Sequence, residues 1–439
     1  MRQNSRTARA VTAVAALLIV TALAGPVGAA TPSVKGAGTD SVDPLFGAWQ
    51  KAVAVAPYST AVDYSAGSAA EGRAEFIAKT TDFAVTGTPF TATELAAATS
   101  AKRTFEYAPI AAGSLAFLYH LFTPQGQSIK GLQLSGPTLA KIFTGGISSW
   151  DDAAILAENP GVALPPKKII PTVRGQSDSA TYVATSYFRA AAPDVWKAFM
   201  EDPSRGFPDE ARELFPFFAG ADSRTSSFAI SDVVAANEGS DGRIAYVDNA
   251  WAKTALAGGA DIIKVKNAAG KYVAPTPEAT AKTLATAKLT DSNLVAVDFA
   301  TTDPAAYPIA MVNYLVVPTS AVSAEVASAI GTFAGYALKT GQAAATGIGD
   351  PVLPAAMVTR SLSVLEKAVP TTTTTTSSTT SSTSVPSGTD VSGIDATNSA
   401  GSGDGTSLAL TGGPNVGLLL AAGGVLIVVG VRVRRRAAR

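Results

Sequence analysis

Apolar residues in the first part of this chain recur at two spacings, and the change from one to the other marks out its elements. Val34 leads through Gly36 and Gly38 to Leu45, Trp49 and Val53, which follow at helical spacing. Asp43 and Pro44 read as the cap and first residue of that helix. A strand, a glycine turn and a helix are therefore predicted, with the free N–H groups of the helix start facing whatever lies before it. Such an end suits an anion. The pattern returns. Residues 62–65 read as a strand, Ala66-Gly67-Ser68 as a turn, and 71–79 as a helix with Phe76 and Ile77 inward. Residues 81–86 form a short strand that stops at Gly87-Thr88-Pro89. Residues 169–173 form another, which runs into Arg174 and a Ser/Thr-rich loop before a helix over 182–191 with Val183 and Tyr187 on one face. Strands alternating with helices predict an α/β fold, with a ligand site at the carboxyl ends of the strands.

The two ends read differently. Arg2, Arg6 and Arg9 precede an apolar stretch over 11–24 and the small residues Val27 to Ala30, the layout of an export signal over 1–30. From residue 370 the chain turns to Thr and Ser runs that lack the apolar content to fold, so 370–407 reads as a disordered stalk of about 34 Å. Leu408, Ala409, Leu410, Thr411 and Gly412 then precede an apolar run over 416–431 and five arginines. A helix there would be about 24 Å long against a hydrocarbon core of about 30 Å. The segment 408–439 resembles a sortase sorting signal, cut between Thr411 and Gly412; a plain C-terminal membrane anchor is the other reading. An exported protein held at the cell surface, wall-anchored or membrane-anchored, is expected from either.

Composition narrows the chemistry. The chain has 34 basic and 34 acidic residues, and removing both ends takes away eight arginines and no acid. The negative remainder argues against nucleic-acid binding. With no cysteine and one histidine, a zinc site or a Cys/His nucleophile has no support. No metal or cofactor is expected. His120 lies in an apolar strand and reads as a core residue, and Asp151-Asp152 as a helix cap. No Gly-x-Ser-x-Gly or Walker-type motif is present, so the expectation is a binding protein and not an enzyme.

Several stretches in order resemble the phosphate-binding proteins that serve ABC transporters. They are Gly36-Ala37-Gly38 with Pro44 and Trp49, the 81–89 segment, Phe143 to Asp152 followed by Asn159-Pro160-Gly161, Arg174 with the Thr185 to Phe188 helix, Ile244 to Val247, and Tyr307-Pro308-Ile309. The resemblance implies two α/β lobes joined by a hinge, of the Venus-flytrap type. The first lobe is expected over 31–117 plus 306–369 and the second over 118–305. It also implies phosphate or a related oxyanion as ligand and an ABC permease as partner. Carried over by position, the ligand set is Thr39, Asp40, Ser41, Ser68, Arg174, Asp178, Ser179 and Thr181. Two departures stand out. Gly87 replaces an expected acid, and the loop after Arg174 admits two registers, one with Gln176 at the acidic position and one with Asp178. An adhesion or scaffold module that has lost its ligand is the alternative.

Overall fold

The computed structural model describes residues 31–368, apart from 236–238 and 321. The export signal, the stalk and the sorting motif lie outside the described residues. Among the described residues, no helix is long and apolar enough to cross a membrane.

The fold is a two-lobe mixed α/β arrangement around one strongly curved set of strands. The path runs from Ala61–Gly67 through Ser33–Thr39, Phe83–Thr86, Ala310–Pro318, Phe105–His120, Arg243–Asp248 and Ile170–Arg174 to Asp222–Arg224. The outer strands pair in parallel, as expected where helices connect them. The central pair, Phe105–His120 and Ala310–Pro318, is antiparallel. Both central strands serve two cores. Tyr107, Ala108 and Ile110 to Ala112 pack with Phe46, Trp49, Phe83 and Phe333; Leu115, Phe117 and Tyr119 on the same strand pack with Phe143, Trp196 and Tyr246, while Ala116 and Leu118 face a smaller cluster with Ile230 and Val247. A 16-residue strand buried almost throughout reads as one apolar run because both its faces are covered.

The local predictions hold in type and shift at their edges. Leu45, Trp49 and Val53 are buried on the helix Asp43–Val53, as the spacing requires. Its cap is a correction. Asp43 makes no capping bond; a 3-10 turn, Asp40–Val42, comes first, and Thr39 caps that turn by accepting from the Ser41 N–H. The 71–79 helix is Ala69–Ile77, capped by Ser68, with Phe76 buried and Ile77 half-buried. The 182–191 helix begins earlier, as Ser179–Ala191, because Asp178 caps it through the Ala180 N–H at 2.9 Å. Asp152 caps Ala153–Glu158 in the same way. His120 is buried, with Nδ1 2.9 Å from the Val234 carbonyl.

Candidate functional site

Five strands deliver their carboxyl ends to one place. Thr39, Gly67, Thr86, Arg174 and Asp248 are the last residues of their strands, and the loops that follow them converge. The turn Asp40–Val42 and two helix starts, Ser179–Ala191 and Ser227–Ala235, point into the same region. N–H groups at helix starts have no partner within the helix; here the turn gives one to Thr39 Oγ, the Ser179–Ala191 helix one to Asp178 and the Ser227–Ala235 helix one to Asp40.

Arg174 is the centre of charge. It is 1% exposed, and its Nη1 donates to both carboxylate oxygens of Asp40 at 3.0 Å and to Ser227 Oγ at 3.1 Å. Nη2 donates to the Gly67 carbonyl at 3.3 Å and stands 3.9 Å from Asp178. Its Nε has no partner. Burial alone would make the guanidinium easier to deprotonate, but Asp178 and Asp40 outweigh it and hold the charge in place. The Asp40 carboxylate also accepts from the Ser227 N–H at 2.9 Å and the Ser227 hydroxyl at 2.7 Å. Its backbone carbonyl accepts from the Trp251 indole at 2.8 Å. A guanidinium, a helix-start N–H and a hydroxyl around one carboxylate form an oxyanion cradle, and here the chain's own side chain lies in it.

A second carboxylate sits one layer deeper. Asp178 is fully buried, accepts from Thr39 Oγ at 3.1 Å and from the Ala180 N–H, and so belongs to the register in which Asp178, Ser179 and Thr181 face the cleft. Gln176 stays half-buried on the loop. Burial, with the nearby Asp40 charge added, pushes the Asp178 carboxyl up to about 6 against the pull of Arg174. Ser41 donates to Asp248 at 2.8 Å, and burial drives the Asp248 carboxyl well above the usual range. Thr181 Oγ lies 2.9 Å from the Tyr246 hydroxyl. Ser68 donates across the cleft to the Ser177 carbonyl. All eight residues expected at the site are buried and gathered there.

Gly87 explains its own departure. Its N–H donates to Ser179 Oγ at 2.8 Å, and a Cβ on it would lie 2.7 Å from the Ser179 Cβ. No side chain fits there while Ser179 keeps its place.

Sequence reasoning missed four participants. Ser227 and Asp248 had a signal: a Ser before an apolar helical run, and an acid closing the apolar strand 244–247. Arg73 and Glu213 had none. Arg73, 1% exposed on the first lobe, forms a paired contact with Glu213 of the second, at 2.8 and 2.7 Å, while its Nε takes Glu94 at 2.9 Å. Thr86 and Thr88 complete its partners, and Thr88 also bonds Glu213.

Comparison with known proteins bears on this arrangement. The family model of the PBP superfamily domain matches residues 25–340. A phosphate-binding protein PstS of Xylella fastidiosa is 28% identical over 337 residues, covering 75% of this chain and 84% of the relative. Phosphate-binding protein PstS 3 of Mycobacterium tuberculosis is 29% identical over 298 residues, covering 66% and 73%. Among solved structures, a phosphate-binding protein from Stenotrophomonas maltophilia superposes with a TM-score of 0.59 at 18% identity, covering 75% of this chain and 93% of its own. A high-affinity periplasmic phosphate-binding protein bound with phosphate gives 0.58 at 20% identity, covering 75% and 92%. At these identities the structural likeness speaks for the fold.

Proposed function

Because the chain belongs to the PBP superfamily, we propose that it is a receptor that takes phosphate or a related oxyanion between its lobes and presents it to an ABC permease. The observation that carries this reading is Arg174. It is a guanidinium buried at the carboxyl end of a strand, with donors from two helix starts around it and one N–H unused. The PstS names of the relatives in Xylella and Mycobacterium support phosphate as the ligand class.

In this reading the lobes, 31–117 with 306–369 and 118–305, open about the central strand pair. An entering oxyanion displaces the Asp40 carboxylate and takes over its donors: Arg174 Nη1, the Ser227 N–H and the Ser227 hydroxyl. Thr39, Ser41, Ser68, Ser179 and Thr181 supply the remaining hydroxyls, and Asp178 accepts the proton that hydrogen phosphate still carries. Sulfate carries no proton at neutral pH, so a carboxylate facing it repels it. Binding needs no bond making or breaking, and no catalytic role is assigned to any residue. Export by the 1–30 segment, display on the 370–407 stalk and attachment after Thr411 by a sortase complete the proposal.

One observation favours a second reading. Asp40 already satisfies the cradle, which suits a scaffold or adhesion module on a fold that no longer takes a ligand. Calorimetry with the mature protein separates the two. The receptor reading expects heat with phosphate, little with sulfate, and none with either after Arg174→Ala. Absence of heat with phosphate, sulfate, arsenate and phosphate esters removes it and leaves the scaffold.

A further inference from the structure

Beside the anion site lies a small polar chamber that shares Ser41 with it. It holds about 10 Å³, room for one water-sized sphere. Its polar wall draws on both lobes: Ser41 from the first turn, Ser114 and Asn313 from the two central strands, Asp248 from the end of the second-lobe strand, and Asp350 from the loop before the last helix. None of these residues is more than 7% exposed.

Three wall atoms have no protein partner: Asp350 Oδ1, Asn313 Oδ1 and Ser114 Oγ. Gly113 leaves the Asp350 carboxylate bare, since a Cβ there would come to 3.4 Å from its Oδ1. The central strand pair slips its register between Asn313 and Tyr314, an irregularity of the kind that re-aims a side chain beside a site. The Ser41 hydroxyl proton is already directed at Asp248. What faces the chamber is therefore oxygen with lone pairs to offer.

Charge makes the same demand. Asp40, Asp178, Asp248 and Asp350 are all buried, and Arg174 is the one buried cation paired with any of them among the described residues. Lys253, exposed beside Gly349, makes no ion pair with Asp350 among the described residues. Ionised together without a cation, these carboxylates would cost several kcal/mol.

We propose that the chamber binds a small dehydrated monovalent cation of sodium's size, held by Asp248 and Asp350 with Asn313, Ser114 and Ser41. Calcium asks for six to eight oxygens and magnesium keeps several of its waters. A one-sphere chamber with two acids and three neutral oxygens suits neither. The ligands come from both lobes, so the cation fastens the closed arrangement. Thr39 Oγ, which bonds Ser41 Oγ at 2.9 Å and Asp178 at 3.1 Å, carries that ordering to the anion cradle.

The test needs no anion, so it stands apart from the receptor reading. The mature protein is unfolded by heat at fixed pH and ionic strength, in phosphate-free buffer, with sodium, potassium or choline chloride. The midpoint is expected to rise saturably with sodium, by about 2 °C at ten times the half-saturating concentration, and not with the other two. Asp350→Asn is expected to abolish the sodium response. An equal response to all three salts overturns the proposal, as does a full sodium response in D350N. Should D350N fail to fold, the comparison of salts on the wild-type protein decides alone.

Discussion

Two buried arginines bridge the lobes, and they are opposites. Arg73 spends every nitrogen: Nε on Glu94, Nη1 on Thr86, Thr88 and Glu213, and Nη2 on Glu213. Arg174 leaves Nε unused and gives Nη1 to an aspartate held on a short turn. A guanidinium with every nitrogen engaged is a structural clasp. One whose partners are an aspartate on a short turn, a serine hydroxyl and a carbonyl, with Nε unspent, keeps capacity for an exchange. The lesson is that burial and charge do not separate a clasp from a binding group, whereas the count of unspent donors does.

That contrast is easiest to break by truncation. Arg174→Ala is expected to remove at least two charge-assisted hydrogen bonds to the anion, about 3–6 kcal/mol, or two to four decades of affinity, measured by calorimetry with phosphate. If affinity is unchanged, Arg174 is a second clasp. Arg73→Ala leaves Glu213 without its paired partner and is expected to cost about 3–5 kcal/mol of stability, read by urea unfolding, with phosphate affinity reduced far less than in R174A.

Removing the internal competitor sharpens the comparison from the other side. Asp40→Asn is expected to tighten phosphate about 10- to 100-fold, equivalent to about 1.4–2.8 kcal/mol, while lowering the stability of the ligand-free protein. Equal affinities would mean that Asp40 does not lie in the anion's place.

The remaining effect is a pH dependence. Asp178 is raised in the folded protein to about 6 from its ordinary value of 3.8, so between these values the folded state binds more protons than the unfolded one. The Asp178 contribution to stability therefore falls as pH rises from about 4 to about 6 and is level above, a loss of about 3 kcal/mol. Asp178→Asn preserves the helix cap and is expected to flatten that slope in urea titrations across pH.

Legibility in the sequence followed the distance over which each feature is decided. The helix bearing Leu45, Trp49 and Val53 was readable because its apolar face repeats within one turn. Its entrance was not, since the turn Asp40–Val42 is fixed by Thr39 and by Ser227, which lies 187 residues beyond Asp40. The Ser179–Ala191 helix was read three residues short because Ser and Thr near a helix start serve equally as loop or first turn. Asp178 declared its register only once Thr39, 139 residues away, bonded it. Arg73 with Glu213, at a separation of 140, left no local mark.

The contact between Gly87 and Ser179 bears on how this protein could change. A carboxylate cannot be placed at position 87 alone, because its first carbon would strike Ser179. Nor can Ser179 retreat freely, since its hydroxyl accepts the Gly87 amide. The two positions are interlocked, so a side chain at 87 requires a paired substitution at 179. Any descendant or engineered variant that seeks a different anion has its easier single steps at Asp40, where the side chain lies in the cradle and the backbone is already held by Trp251.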